Sequence, residues 1–469
     1  MEYGFWSLVP PLLTIVLALV TKNVFVSLLV GIVTGSFVLN AFSPLVSLNA
    51  SIYSILDSMD QGNTLIIASC LIVGAMIHLM EKSGGIQGFV NVVVKNKGLI
   101  KTKRGANLFT WILGLAVFTS GSLSCMVTGA VSRPVNDALK VPHEKSAFIV
   151  HATSTPWCVL FPFSGWLASM AGYLVSGGVP EGESVSVLFQ SIFLNFYCIL
   201  AVVLCLVLAL LQKDIGPMGK AEKRAAETGL LDDPAHRKES DGQAALTFDV
   251  KPRACNLLVP IGVLIVVMFA ALLITGNGNL MDGAGLQALI WAVVAGLLTI
   301  IIMTVIQRVF TVSQAIDEMF KGMSHMLPIA FILLFGFTMG TTVKALDTGA
   351  YLSSLFQKLL SPALLPALTF LIALQISFAT GTSMGTMAIM AVISLPMAYD
   401  MGSSIPLVAG AMFGGSIFGD HCSPISDTTI MTCSTTGCDI IDHVKTQAPY
   451  CIAIAVISFI AYVICGFVM

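Results

Sequence analysis

The chain has 469 residues, 56% of them hydrophobic and only 10% charged, with a net charge of −2. Soluble domains carry roughly 25% charged residues, so the composition excludes a soluble globular protein, and the near-neutral balance leaves no basic footprint for nucleic acid. Of the 48 charged residues, 16 lie between Lys213 and Arg253. The rest of the chain is left with many charge-free runs long enough to cross a bilayer at about 20 residues each. This predicts an all-α polytopic membrane protein in contact with lipid. The eleven cysteines form no CxxC pair and no Cys/His metal spacing, so they read as small core residues.

In chain order, the apolar run Tyr3 to Thr21 has no basic segment ahead of it and no small-residue cleavage site, and reads as a retained span. Further runs cover about 24 to 43, 63 to 80, 105 to 132, 146 to 180 and 184 to 212. After a hydrophilic stretch they resume at about 255 to 281, 284 to 307, 326 to 343, 359 to 399, 401 to 419 and 446 to 469. This divides the chain into a first transmembrane unit, 1–212, a linker with eight basic and eight acidic side chains, 213–254, and a second unit, 255–469. The linker composition predicts a surface loop. Several runs pair at an offset of roughly 260 residues, among them Phe118-Thr119-Ser120-Gly121-Ser122 with Phe378-Ala379-Thr380-Gly381-Thr382, which is the mark of a repeat.

The stretch from Leu359 to Tyr399 is too long for one span and is interrupted at Thr380-Gly381-Thr382-Ser383 and Pro396, which fits a re-entrant hairpin. The segment from 105 to about 139 breaks at Ser120-Gly121-Ser122 and ends at Arg133-Pro134, which fits the same shape. Each half then makes five crossings plus one hairpin, and an odd number turns the second half over, as in inverted-repeat secondary transporters. Basic residues accumulate in cytoplasmic loops. With both termini outside and the linker inside, 21 of the 23 lysines and arginines fall inside, leaving Lys344 and Lys358 outside.

Irregular backbone at membrane depth is tolerated only where protein or a water-lined cavity satisfies it. Four breaks therefore attract attention: Ser120-Gly121-Ser122, Thr153-Ser154-Thr155-Pro156, Thr380-Gly381-Thr382-Ser383, and the run from Gly419 to Thr429 with Ser423-Pro424 at its centre. Proline has no N–H, so it frees a carbonyl upstream. Half-helix N-termini can face an anionic substrate, while freed carbonyls and hydroxyls can hold Na+. Against this stands the simpler role of Ser, Thr and Gly as close-packing residues between membrane helices. Asp420 and Asp427 weigh more, because a carboxylate at membrane depth is costly and usually functional. One can face the site while the other caps a half-helix. His151 and His421 could relay protons or simply bond carbonyls. His78 and His325 read as interfacial, and Asp439, Asp442, His443 and Lys445 as a solvated helix end.

The run Gly419-Asp420-His421-Cys422-Ser423-Pro424-Ile425-Ser426-Asp427-Thr428-Thr429-Ile430, continued by Cys438-Asp439, Ile441-Asp442-His443-Val444, Thr446-Gln447 and Pro449-Tyr450, closely resembles the hallmark of the NhaC-type Na+/H+ antiporter family. Arg133-Pro134, Glu144-Lys145 and Pro156 through Pro162 to Gly165-Trp166 agree in the first half. The resemblance implies a bacterial-type inner-membrane secondary transporter of the ion transporter superfamily. It further implies inverted repeats, re-entrant hairpins, alternating access of elevator type, a homodimer, and Na+ and H+ as coupling ions with no other cofactor or metal. One departure stands out. Many relatives carry an acidic pair near the first hairpin tip and an aspartate before the position of Thr153, where this chain has Ser120-Gly121-Ser122 and His151-Ala152.

On this reading Na+ is held by Thr153, Ser154, Thr155, Ser383, Ser423 and Ser426 with an Asp420 or Asp427 carboxylate. A substrate is gripped by Ser120, Gly121, Ser122, Thr380, Gly381 and Thr382. The alternative is Na+-coupled transport of a small amino acid or carboxylate. An enzyme is disfavoured, since no nucleophile-base set, metal spacing or phosphate loop appears, and a channel is disfavoured as well.

Overall fold

The computed structural model describes residues 3–21, 23–94, 100–118, 120–162, 164–234, 250–279, 283–348, 351 and 361–469. Lys22, Thr119, Asp282, Lys358 and the linker residues 235–249 lie outside the described residues. The described residues contain helices and no strand. The first part comprises α1 (Val9–Thr21), α2 (Val24–Leu39), α3 (Pro44–Asp57), α4 (Gln61–Lys82), α5 (Gly85–Val94), α6 (Lys103–Ala116), α7 (Gly121–Ala138), α8 (His143–Leu160), α9 (Leu167–Ser176), α10 (Glu181–Phe193) and α11 (Phe196–Leu211). Then come α12 (Gly216–Thr228), α13 (Cys255–Thr275), α14 (Gly285–Ile306), α15 (Val312–Ala345), α16 (Leu365–Thr380), α17 (Ser383–Met401), α18 (Ile405–Cys422), α19 (Asp427–Thr436) and α20 (Ile440–Val468).

Eight helices among the described residues are long and apolar enough to cross a membrane, fewer than the ten full crossings expected. The segments at α1, α2 and α9 are apolar but shorter. Outward faces carry exposed Leu258, Val266, Phe269 and Ile274 on α13 and Ile452, Val456, Ile460 and Ile464 on α20, the surface expected where lipid is the solvent. Inside, helices meet on small residues. At the α4–α15 crossing a Cβ on Gly74 would come within 2.9 Å of the Gly322 carbonyl, and one on Gly322 within 2.8 Å of the Gly74 carbonyl. Neither position has room for a side chain, which is how two backbones approach this closely.

α8 and α18 form the buried centre, with nearly every residue of both out of solvent. α7 folds back along α6: Ser124 Oγ donates to the Gly114 carbonyl at 3.3 Å, and Thr110 and Asn136 bond through their side chains further from the bend. α16 ends on Gly381 in the left-handed region (φ 69°), and Thr382 caps α17 by accepting the Gly385 N–H at 3.3 Å. α6, α7 and α8 begin at residues 103, 121 and 143, and α16, α17 and α18 at 365, 383 and 405, a constant step of 262.

Two expectations need correction. The chain does not break at Thr153-Ser154-Thr155-Pro156, because α8 continues through Pro156 to Leu160 and leaves the helix at Phe161. Proline removes only its own N–H; Thr153 Oγ1 bonds the Ile149 carbonyl at 2.7 Å before it and the Phe161 N–H bonds the Trp157 carbonyl at 2.8 Å after it, so the helix is bonded on either side of the lost contact. The helix gives way at Phe161, which is extended, and Pro162 follows in a turn. Nor is the start of the linker a free loop. Lys145 Nζ meets Asp214 at 2.5 Å, Arg224 donates to both Glu144 oxygens at 2.9 Å, and His143 bonds Asp232 at 2.6 Å. These pairs clamp α12 onto the start of α8, and residues 213–234 are folded.

Candidate functional site

α18 is helical to Cys422 because nothing before Pro424 obstructs it, and Ser423 to Ser426 then form a short non-helical link to α19. Asp420 lies in the last turn of α18, only 1% exposed. Ser426 Oγ donates to its Oδ1 at 2.6 Å and Thr428 Oγ1 to its Oδ2 at 2.8 Å. No lysine or arginine pairs with it among the described residues. A buried carboxylate supplied with hydroxyls but no fixed positive charge is expensive until a cation or a proton arrives. Asp427 is different: it opens α19, where the helix dipole favours a negative charge, and it is exposed. Ser122 Oγ donates to its Oδ2 at 3.1 Å.

The other break residues gather around the same link. Gly121 faces Thr155, whose Oγ1 would lie 3.2 Å from a Cβ placed on that glycine. Ser154 Oγ accepts from Ser124 at 2.9 Å, and Thr155 Oγ1 is buried without a hydrogen-bond partner. Gly381 abuts the Ile425 backbone. Ser120, Ser383 and Ser423 lie at the ends of the elements that meet here. Several predicted hydroxyls are committed to their own helices: Thr153 to Ile149, Thr380 to the Ile376 carbonyl at 2.8 Å, and Thr382 to its capping bond.

Four contributors were missed from sequence: Tyr197, Thr428, His443 and Gln447. His443 is fully buried, which corrects its reading as part of a solvated end. His151 Nδ1 lies 3.0 Å from His443 Nε2, and His151 Nε2 lies 3.0 Å from Thr428 Oγ1. His421 Nε2 donates to the His151 carbonyl at 3.0 Å, while Tyr197 OH meets its Nδ1 at 3.1 Å. Gln447 donates to the His421 carbonyl. The spacing of His443 and Gln447, one turn apart on a helix, was the available signal. His78 bonds Glu318 at 2.8 Å and stacks on His325, away from this group.

A family model described as the Na+/H+ antiporter family matches residues 157–467. The chain belongs to the Na+/H+ antiporter family. Its members are secondary transporters rather than enzymes, and this chain is a multi-pass membrane transporter of that kind. An uncharacterized protein of Haemophilus influenzae is 32% identical over 98% of this chain and 91% of its own length. A Malate-2H(+)/Na(+)-lactate antiporter of Bacillus subtilis is 30% identical, but over only 31% of each chain. Among solved structures, the Alcanivorax borkumensis YdaH transporter covers 90% of this chain and 89% of its own at a TM-score of 0.59 and 14% identity, a likeness of fold alone.

Proposed function

We propose that the chain exchanges Na+ for H+ at one site built on Asp420. The observation that carries the reading is the buried Asp420 carboxylate, with two hydroxyl donors at 2.6 and 2.8 Å and no lysine or arginine paired with it among the described residues. A carboxylate that holds a proton cannot hold Na+ as well, so alternating exposure of one such group to the two sides exchanges the ions. Ser423, Ser426, Ser154, Thr155 and Ser383 supply further oxygens to Na+, and Asp427 with Ser122 guards the exposed approach. Replacing Asp420 by Asn removes the titrating group while keeping its size. Na+-dependent ΔpH dissipation in everted vesicles is then lost, and wild-type exchange in that variant would reject the site.

The architecture proposed for this cycle is an inverted repeat, with α6–α7 and α16–α17 as re-entrant hairpins. The constant step of 262 between their starts supports it. Both termini are outside and the linker is cytoplasmic. The ion pairs Lys103–Glu222, Lys145–Asp214 and Arg224–Glu144 gather the basic segments at one end. Asp60, Glu181, Lys344, Asp347 and Asp400, which this orientation puts on the outer side, line one cavity of about 560 Å³. In this reading the site moves by an elevator motion in each subunit of a homodimer.

A second reading is Na+-coupled transport of a small carboxylate or amino acid. The name of the Bacillus relative favours it. Ser120, Gly121, Ser122, Thr380, Gly381 and Thr382 would hold such a solute. Counterflow in liposomes separates the two: accumulation of a labelled carboxylate or amino acid driven by Na+ supports the second reading, and its absence supports the first.

A further inference from the structure

We propose that protons reach Asp420 along a string formed by His443, His151 and Thr428, and that His421 positions this string without carrying the proton. The inference rests on the reading of Asp420 as the group where H+ and Na+ compete.

Hydrogen-bond direction defines the string. Thr428 has one proton, and its hydroxyl donates that proton to Asp420 Oδ2 at 2.8 Å. The same oxygen lies 3.0 Å from His151 Nε2, so with Asp420 ionised the imidazole must be the donor there. A neutral His151 protonated on Nε2 has a bare Nδ1, which accepts from His443 Nε2 at 3.0 Å. His443 is then bare at Nδ1, and that atom is buried without a hydrogen-bond partner among the described residues. The string therefore has one polarity and one open end. It starts at His443, in the first turns of α20, near the end of the molecule where Tyr450 of the same helix bonds Asp214 of the linker at 2.9 Å. It finishes at the ion site.

One proton entering at His443 Nδ1 releases the Nε2 proton to His151 Nδ1. His151 passes its Nε2 proton to Thr428, and Thr428 passes its own to Asp420. Each bond made is matched by one broken, the net result is a neutral Asp420, and every member is left with its polarity reversed. Na+ binding at Asp420 drives the same steps backwards.

His421 is excluded from the route by its own bonds. Its Nε2 is committed to the His151 backbone carbonyl and its Nδ1 to Tyr197, so neither nitrogen bonds Asp420 or the imidazole and hydroxyl groups that carry the proton. Its ring packs edge-on against His151 with centroids 4.5 Å apart, which fixes the His151 orientation. The titratable groups around the string are His421 and Asp420 from α18, Tyr197 from α11, Asp427 from α19, Cys451 beside His421 on α20, and Asp442 and Lys445 flanking His443.

The test separates proton delivery from ion binding. Self-exchange of 22Na+ against Na+ needs no proton, whereas Na+-dependent ΔpH dissipation does. In His443→Gln, proton-coupled exchange falls tenfold or more while Na+ self-exchange stays within about threefold of wild type; Thr428→Val, which also strips a hydroxyl from Asp420, lowers both activities, and Thr428→Ser restores both by restoring the hydroxyl. His421→Asn lowers both activities together, as a positioning role requires. Wild-type coupling in His443→Gln, or equal losses of both activities in that variant, overturns the string. Asp420→Asn distinguishes the failures: if it retains Na+/H+ exchange the ion site itself is wrong, and if it loses exchange while His443→Gln does not, only the string is wrong.

Discussion

Gly381 gives the most direct handle on how the turn between α16 and α17 supports the proposed ion site. It has φ 69°, in the left-handed region, where an L-residue costs roughly 1–2 kcal/mol. A Cβ there would lie 2.9 Å from Ile425 Cγ1 and 3.0 Å from the Ile425 carbonyl oxygen. The backbone of the link 423–426 must give way, and overpacking of this kind adds roughly 1–3 kcal/mol. Ser426 follows Ile425 directly and holds Asp420 Oδ1 at 2.6 Å, so the shift reaches the carboxylate. Gly402 supplies the control, because its φ is 72° and nothing lies within 4 Å of an added Cβ. Thermal unfolding in detergent and Na+-dependent ΔpH dissipation should be measured for Gly381→Ala and Gly402→Ala. Gly402→Ala should lose about 1–2 kcal/mol through backbone strain alone and transport normally. Gly381→Ala should lose about twice as much stability, and its exchange should fall at least tenfold with weaker Na+ dependence. Equal transport by the two variants would refute the claim that the tip braces the ion site.

Two further predictions concern the clamp between α8 and the linker. The side chains of Lys145 and Asp214 are 0% and 3% exposed, and removing one partner of such a pair strands a buried charge, so Lys145→Met should cost about 3–5 kcal/mol in detergent melts. Lys145→Met combined with Asp214→Leu should recover part of that loss. His143 lies ahead of the apolar run that starts at 146, outside the membrane-spanning stretch; burial alone would lower its imidazole, but Asp137 and Asp232 outweigh burial and push it up to about 9 from 6.5. A folded value above the unfolded one means that this stabilisation, on the order of 2–3 kcal/mol, is full below pH 6.5 and is lost as pH rises through about 9. Tryptic cleavage at Lys223 and Arg224 should therefore accelerate between pH 7 and pH 10 in the wild type, after correction for the protease's own profile, and lose that pH dependence in His143→Gln.

The features legible in the sequence are those that local chemistry dictates. A Gly flanked by hydroxyls marked the ends of α6, α7, α16 and α17: at α16–α17 Gly381 takes a left-handed turn and Thr382 caps the next helix, while at α6–α7 Ser120 takes the N-cap position without a side-chain cap bond. Ser423-Pro424 marked the end of α18 for the same reason. Thr153-Ser154-Thr155-Pro156 misled because a helix can carry proline when its neighbours keep their bonds, and Phe161-Pro162 is where the chain departs. The distinction between Asp420 and Asp427 was beyond reach, because it depends on which side of the link between α18 and α19 faces the core. His443 looked like a member of a charged helix end, and only its packing on His151 from the other half reveals it as buried.

The proposed repeat also explains why one carboxylate can suffice. Stepping back by 262 residues takes Ser426 to Ser164 and Asp420 to Cys158. The geometry survives: Ser426 Oγ reaches six residues back to the Asp420 carboxylate, and Ser164 Oγ reaches six residues back to the Cys158 carbonyl, at 2.5 Å. The chemistry does not, since the first-half link offers a thiol where the second offers a charge, and its flanks are Phe161 and Trp166 rather than Ser423 and Thr428. A pair of symmetric acids would need two cations for neutrality at membrane depth, while this arrangement leaves a single charge to be neutralised by one Na+ or one H+. On the proposed reading, a thiol at Cys158 in place of a second carboxylate limits each cycle to one ion at this site without removing the capacity for exchange itself.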